Sequence, residues 1–277
     1  MTVSRASQST FRITLRDEAT IAGQNLGARN AHPVVLIPGL GGEGSFWDPV
    51  AHVLAADFRI ILHDHRGTGG SSRSKIDYSV SQMADDLLQV LTSLGIEKAH
   101  LVGHSTGGAI AQTIALDYPD RVAGLVLSAT WAAPDPYFTA LFQTRLDVLE
   151  TLGMKSYAML SALFLHAPEA LVAEPSQLEP RPKMPAEESD ETAIVANRIR
   201  ALLAHNRRDE LRALDHPTLI VCSKDDRITP PHMSQELARL IPHSRLLEIR
   251  SGGHFVPKTR PKDWLSTVHP FLKALAQ

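Results

Sequence analysis

The stretch Gly103-His104-Ser105-Thr106-Gly107-Gly108 places a serine among glycines, after an apolar run and before a helical pattern. The run at 98–102 is typical of a short buried strand, and the pattern at 109–116 is typical of a helix. The sequence therefore predicts a strand, a sharp turn that carries Ser105, and a helix. Such a turn strains the backbone and excludes large side chains two residues to either side, which accounts for the glycines. This pattern favours a serine nucleophile; the alternative is a glycine-rich turn with an incidental serine.

Two later segments carry the residue types that a serine nucleophile needs as partners. One β-rich run is followed by a polar turn with Asp225 and Asp226, and the next is followed by a loop with His254. In a serine hydrolase the histidine moves the proton of the nucleophile, and the carboxylate orients the imidazole ring and stabilises its charged form. We therefore predict Ser105 as nucleophile and His254 as base. On these residues alone, either aspartate is a candidate for the acid.

A glycine-dense loop upstream is a candidate for the oxyanion hole. The apolar run at 34–38 opens into this loop at 39–44. Acyl transfer needs preorganised backbone donors for the developing negative charge, and we assign these to the peptide N–H groups of Leu40 and Thr106. A phosphate loop is the competing interpretation, but the segment has neither the lysine and hydroxyl residue of a P-loop nor the dinucleotide-binding spacing.

Five segments together resemble the α/β-hydrolase fold superfamily: Pro38-Gly39-Leu40-Gly41-Gly42, His63-Asp64-His65-Arg66-Gly67-Thr68-Gly69, Gly103-His104-Ser105-Thr106-Gly107-Gly108, Lys224-Asp225-Asp226-Arg227-Ile228-Thr229-Pro230 and Gly252-Gly253-His254. Within it, the chain is most similar to the branch of aminoacrylate hydrolases and 3-oxoadipate enol-lactonases. The resemblance implies an α/β fold with a mostly parallel central sheet, flanking helices and an inserted helical cap. The family spacing assigns the acid to Asp226, which leaves Asp225 as a solvated or turn-capping carboxylate.

The chain also departs from the superfamily pattern. Pro38 stands where many members have a histidine before the oxyanion glycine, and Thr106 follows the nucleophile where a methionine is common. Asp64 and Arg66 match a motif that is usually structural in this fold, so we interpret both as loop anchors.

The domain organisation follows from where strands and helices alternate. We predict a hydrolase core at 1–128 and 212–277, interrupted by a helical cap at 129–211. Parallel strands place ligand chemistry at their carboxyl ends, where every predicted catalytic residue falls. The predicted substrate contacts, at the loop and in the cap, are Gly39, Trp131, Phe138 and Arg145, the last as a partner for a substrate carboxylate.

Composition limits the partners. The 277 residues include 28 basic and 30 acidic side chains, so no net field attracts nucleic acid or an anionic membrane. The first 20 residues have no apolar core of a secretory signal, and no later segment is expected to approach a membrane span in length. A single cysteine, Cys222, suits a reducing compartment. We therefore expect a cytoplasmic protein with a small-molecule substrate; homo-oligomerisation stays open.

The sequence implies no cofactor and no metal, because His63 and His65 lack further histidine or cysteine partners at a zinc spacing. The predicted function is a serine-dependent hydrolase of a small ester, lactone, amide or carbamate, with a Ser-His-Asp triad and an activity like that of the aminoacrylate hydrolases. A lactonase like the 3-oxoadipate enol-lactonases is the first alternative. A ligand-binding receptor on a hydrolase scaffold is the alternative outside the enzymes.

Overall fold

The computed structural model describes residues 8–178 and 188–276, and within them one eight-stranded sheet forms the centre of the molecule. The strand order is β1-β2-β4-β3-β5-β6-β7-β8. The strands are β1 (Gln8–Thr14), β2 (Thr20–Leu26), β3 (Pro33–Ile37), β4 (Arg59–His63), β5 (Ala99–His104), β6 (Val122–Ser128), β7 (Thr218–Ser223) and β8 (Ser244–Ile249). The six strands β3 to β8 run parallel to one another, and the β1–β2 hairpin pairs antiparallel with β4. The predicted fold class is confirmed.

The central strands are apolar along their whole length because both faces of the sheet are covered. β5 and β7 have every residue buried. Alternate side chains enter two separate cores: Val35 and Leu101 lie on one face, and Val34 and Val102 on the other. The sequence analysis missed β2, whose residues are mostly half-buried and whose polar positions leave no run of apolar residues.

Helices cover the two faces. The described helices are α1 (Asp48–Leu54), α2 (Val80–Ser93), α3 (Thr106–Asp117), α4 (Pro136–Leu165), α5 (Pro168–Ala173), α6 (Glu188–Ala204), α7 (Pro231–Leu240), α8 (Val256–Thr259) and α9 (Pro261–Leu275). Residues of α2 and α3 join the core on one face, and residues of α1 and α9 join the core on the other.

A helical insertion between β6 and β7 lies where the cap is predicted. Its longest element, α4, packs against α6 and is capped at its N-terminus by Asp135, whose side chain accepts a hydrogen bond from the Phe138 N–H at 2.8 Å. Gly153 breaks α4 in the middle, with φ +78° and ψ 178°. The domain boundaries at 129 and 211 stay predictions, and residues 179–187 lie outside the described residues.

One feature of α4 contradicts the sequence analysis. Its 30 residues include an 18-residue window of mean hydropathy 1.2, long and apolar enough to cross a membrane by length and composition. The expectation that no segment approaches a membrane span was therefore wrong. Gly153 divides the helix, and the half before the break buries Phe138, Phe142 and Leu149 against the rest of the chain.

Candidate active site

Ser105 lies on the turn between β5 and α3, as predicted. Its backbone has φ +54° and ψ −119°, a left-handed conformation that L-residues rarely adopt. An added Cβ at Gly103 would lie 2.2 Å from the carbonyl oxygen of Gly107, and one at Gly107 would lie 2.2 Å from that of Ile37. The glycines therefore let the turn close on itself and on β3.

The strained turn is held by hydrogen bonds from the neighbouring strand. The Ser105 N–H donates to the Ser128 carbonyl at 2.9 Å, and the Thr130 hydroxyl donates to the Ser105 carbonyl at 2.8 Å. Backbone strain persists only where its surroundings determine the conformation, and here the last residue of β6, Ser128, and Thr130 just after the strand supply those contacts. Ser105 is buried at 5% exposure.

Asp226 and His254 meet at the carboxyl end of the sheet. Asp226 follows β7, and its Oδ2 atom lies 2.8 Å from His254 Nδ1. The same carboxylate accepts hydrogen bonds from the N–H groups of Ile228 and Thr229 at 2.8 and 3.0 Å, and from the Thr229 hydroxyl at 2.9 Å. A carboxylate held this way can only accept a hydrogen bond from Nδ1. His254 therefore carries its proton on Nδ1, and Nε2 is the nitrogen left to act as a base.

The neighbouring carboxylate, Asp225, connects the loop that carries Asp226, here called the acid loop, to the loop that carries His254, here called the histidine loop. It accepts hydrogen bonds from the N–H groups of Gly252 and Gly253 at 3.1 and 2.9 Å, and from the Ser223 hydroxyl. Although partial burial acts to raise the pKa of Asp225, these hydrogen bonds hold it below its ordinary value. Asp225 therefore does more than cap its own turn, because it fixes the backbone just before His254.

His104 directly precedes Ser105 in the nucleophile turn, which we call the elbow, and its ring lies next to that of the base, His254. Its ring centroid lies 4.8 Å from that of His254 and 4.6 Å from that of Phe46, on which it stacks. Burial, together with the neighbouring His254 and Lys258, holds the pKa of His104 well below its usual range. His104 is therefore neutral at pH 7 and places no competing positive charge beside the base.

The predicted oxyanion loop lies against the elbow. An added Cβ at Gly39 would come within 3.1 Å of Ser105 Cβ, so the loop passes directly beside the nucleophile and Leu40 follows at once. Thr106 is the first residue of α3, where peptide N–H groups point out of the helix and favour negative charge. Its hydroxyl is buried and has no hydrogen-bond partner within the described residues. The donor roles of Leu40 and Thr106 stay predictions.

His65 and Asp64 hold the oxyanion loop in place through hydrogen bonds to its backbone. His65 Nε2 lies 2.9 Å from the Pro38 carbonyl and so donates to it, while the His65 N–H and the Thr68 hydroxyl both donate to the Gly42 carbonyl. Burial is the main reason that the pKa of His65 lies well below its usual range. Asp64 accepts from the N–H groups at 44 and 70. The sequence analysis expects Asp64 to anchor a loop, and it missed the same task in His65.

The predicted substrate contacts of the cap lie together. The ring centroids of Trp131 and Phe138 are 4.7 Å apart, those of Phe138 and Phe142 are 4.4 Å apart, and the Arg145 guanidinium lies 4.6 Å above the Phe142 ring. All four side chains are buried. They form one aromatic cluster that ends in a cation, and their contact with substrate stays a prediction.

Both ends of α4 bond to the loops of the acid and the base. The His254 N–H donates to the Leu165 carbonyl at 3.1 Å, and the Tyr137 hydroxyl donates to the Arg227 carbonyl at 2.6 Å. The Arg227 side chain in turn donates to the His166 carbonyl at 2.8 Å. The insertion is thus fixed to the same loops that position Asp226 and His254.

Sequence analysis also missed Arg198 on α6. This arginine is 1% exposed and lies beside Gly42 of the oxyanion loop, where an added Cβ would meet its two terminal nitrogens at 2.6 and 2.7 Å. A signal was present, because Arg198 takes an apolar-stripe position four residues after Ile194 and four before Leu202. A positively charged residue at such a position indicates a side chain that has a function inside the protein.

The fold and this site define an α/β hydrolase. A family model for the α/β hydrolase fold matches residues 32–261, and the strand order, elbow and Asp226–His254 pair described above agree with it. The chain belongs to the α/β-hydrolase family. The predicted family is confirmed, and the chain is an enzyme of this fold.

Particular relatives cover nearly the whole chain. A Caulobacter sp. (strain K31) protein named as a candidate carbamate hydrolase, RutD, is 36% identical over 250 residues, 90% of this chain and 93% of that protein. Among solved structures, an enol-lactonase from Burkholderia xenovorans LB400 has a TM-score of 0.84 and 25% identity, covering 95% of this chain and all of that one. A thermophilic esterase from Thermogutta terrifontis, with malate bound, has a TM-score of 0.83 and 26% identity, with 97% and 100% coverage. These likenesses agree with the predicted branch.

Proposed function

We propose that this enzyme is a serine-dependent hydrolase of a small carbonyl substrate, in which Ser105, His254 and Asp226 form the catalytic triad. The observation that carries the proposal is the buried 2.8 Å contact between His254 Nδ1 and Asp226 Oδ2, beside the strained elbow of Ser105. A buried aspartate and histidine that hold one tautomer are what an activated serine requires.

In the first half-reaction, Ser105 Oγ attacks the substrate carbonyl carbon and its proton passes to His254 Nε2. The carbonyl oxygen becomes an oxyanion, which the N–H groups of Leu40 and Thr106 receive. Asp226 stabilises the positive imidazolium across the 2.8 Å contact. The intermediate then collapses to an acyl-serine, and His254 returns the proton to the departing alcohol or amine.

In the second half-reaction, water takes the place of the leaving group. His254 Nε2 removes a proton from the water as its oxygen attacks the acyl carbon, and the same two N–H groups hold the second oxyanion. Collapse breaks the acyl–Oγ bond, and the proton on His254 returns to Ser105. The product is a carboxylic acid or, from a carbamate, a carbamic acid.

The comparisons support the substrate classes of this proposal. The Caulobacter relative is named for carbamates, and the two solved structures are an enol-lactonase and an esterase. We propose a carbamate or a short ester as the first class to test. A lactone of the enol-lactone type is the second candidate, favoured by the Burkholderia structure, which aligns along its full length.

The test is acid release at constant pH from short carbamates, esters, amides, lactones and enol-lactones by the wild type and by Ser105→Ala. We expect turnover of one class, and a loss of about 10³-fold or more in Ser105→Ala. Ser93→Ala is the matched control, because Ser93 is an exposed serine on α2 whose hydroxyl donates to the Gln89 carbonyl of its own helix.

Two results would contradict the proposal. Equal turnover by wild type and Ser105→Ala would remove the serine mechanism. Absence of turnover with all five classes, combined with tight binding of one of them, would favour the ligand-binding receptor instead, because a receptor needs the pocket and not the nucleophile.

A further inference from the structure

Arg198 is a buried cation without a described partner. It is 1% exposed, and none of its three side-chain nitrogens has a hydrogen-bond acceptor among residues 8–178 and 188–276. Burial lowers the pKa of its guanidinium to about 10, so the group stays positively charged at pH 7. A buried charge is costly unless something pairs with it, so a guanidinium in this state indicates a partner from outside the part of the chain that the structure describes.

Hydroxyls, an imidazole and backbone groups surround Arg198, and no carboxylate of the described side chains pairs with it. Tyr78, Tyr157 and the buried His65 interact with it electrostatically, and Gly42 lies against its terminal nitrogens. The buried Arg66, by contrast, forms salt bridges with two carboxylates, Asp17 and Asp86. The fold therefore neutralises one buried arginine with its own carboxylates, whereas the described residues offer none to the other.

Arg145, on the neighbouring helix, is a weaker candidate for the same task. Its terminal nitrogen donates to the hydroxyls of Tyr157 and Ser161, both at 3.0 Å, and its guanidinium lies over the Phe142 ring. These contacts satisfy much of its hydrogen-bonding capacity. Tyr157 touches Arg145 and lies near Arg198, so two positive groups with no described carboxylate flank one tyrosine.

A short path connects Arg198 to the reacting centre. Its guanidinium lies against Gly42, the Gly42 N–H donates to the Gly39 carbonyl at 3.0 Å, and Gly39 lies beside Ser105. A group bound by Arg198 thus lies at one end of the oxyanion loop while the nucleophile lies at the other. This spacing suits a small substrate that carries an anionic group a few bonds from its reacting carbonyl.

We infer that Arg198 determines the specificity of this site: its guanidinium binds a carboxylate that the substrate carries near its reacting carbonyl. The inference deepens the proposed function and rests on it. The planar guanidinium presents paired N–H donors that match the two oxygens of a carboxylate. Arg145 adds positive potential from the other side of Tyr157.

The test compares substrates that differ only in this charge. Monomethyl esters of malonic, succinic and glutaric acid are paired with the half-amides of the same length, in which a neutral amide replaces the carboxylate. We expect the wild type to prefer the acid at one length by about 10- to 100-fold in kcat/KM, the range of a hydrogen bond to a charged group. Arg198→Met is expected to abolish that preference, mainly through a raised KM for the acid.

Two further variants make the result specific. Arg198→Lys keeps the charge and loses the paired donors, so it is expected to retain part of the preference. Arg200 lies two residues further along α6, where it is exposed and pairs with Glu150. Arg200→Met is therefore expected to leave the preference for the acid substrate unchanged. A wild type without preference at all three lengths, or an Arg198→Met enzyme that keeps it, would overturn the inference while the serine mechanism stands.

A binding measurement separates this inference from the proposed function if none of the esters is cleaved. Thermal unfolding is recorded with malonate, succinate or glutarate and with the corresponding diamides, because a ligand of the folded state raises Tm. A rise in Tm with a dicarboxylate and not with its diamide, lost in Arg198→Met, supports an anion site without turnover. No rise, or an equal rise in Arg198→Met, overturns it.

Discussion

The two sides of this active site satisfy their buried charges in opposite ways. On the sheet side, Asp226 is fully buried and accepts hydrogen bonds from two backbone N–H groups, the Thr229 hydroxyl and His254. On the cap side, Arg198 is equally buried and finds no acceptor in the described chain. The difference indicates that the acid–base pair is preorganised by the fold itself, whereas the cap side is completed by a molecule from outside.

Asp226→Asn is expected to have the largest effect, because it disrupts the acid–base pair on the sheet side of the active site. The amide nitrogen of asparagine can donate to His254 Nδ1, which favours the wrong tautomer and places a proton on the nitrogen that has to accept one. We expect kcat to fall by about 10⁴-fold, measured on whichever substrate the acid-release panel identifies.

The neighbouring Asp225→Asn is the matched control, because it changes the same charge one residue away. Asp225 bonds to the backbone of the histidine loop and not to the His254 ring, so a much smaller loss in kcat is expected. Equal losses in both variants would assign the effect to loop disorder and not to the tautomer of His254.

Gly107→Ala tests whether the elbow is as tightly determined as the acid. Its Cβ would lie 2.2 Å from the Ile37 carbonyl oxygen, and backbone atoms cannot move aside cheaply. We expect a loss of about 3 kcal/mol in the free energy of unfolding, measured by denaturant titration. Gly41→Ala, in the adjacent loop, meets no atom within 4 Å and is expected to cost far less. Equal costs at both positions would mean that the turn relaxes freely.

Much of the sheet side could be predicted from the sequence, because the elbow, the acid loop and the histidine loop are short segments with their own local rules. The strand that ends at His104 and the turn at Ser105 follow from apolar runs and glycines alone. The cap side could not, since the environment of Arg198 depends on how α6 packs over a loop more than 150 residues earlier. Asp225 shows the same limit, because its partners at 252 and 253 come from a loop that only the fold brings near.

Arg198→Met tests the cap side through stability. If the guanidinium serves a ligand and not the fold, its removal relieves an unpaired buried charge, and a methionine of similar length fills the space. We expect the free energy of unfolding, without ligand, to stay equal or rise by about 1 kcal/mol. A loss of several kcal/mol would show that Arg198 holds the cap in place. Arg200→Met is the control, with an expected change near zero because its ion pair is exposed.

The smallest expected effect is the loss of stability at low pH that Asp225 causes. The pKa of this carboxyl is lowered in the folded chain, since hydrogen bonds from Ser223, Gly253 and Gly252 outweigh the opposing effect of burial. A lowered folded pKa gives stability that is fully present above the unfolded value of 3.8 and is lost as pH falls through the folded value.

The wild type is therefore expected to lose more unfolding free energy between pH 5 and about 3 than Asp225→Asn, which has no proton to take up at this position. The difference is below about 1 kcal/mol, because the group is partly exposed and screened by solvent. Denaturant titrations of both proteins at each pH measure it. Parallel losses would show that the bonds to Gly252 and Gly253 do not depend on the charge, and the histidine loop would then be held by its own backbone geometry.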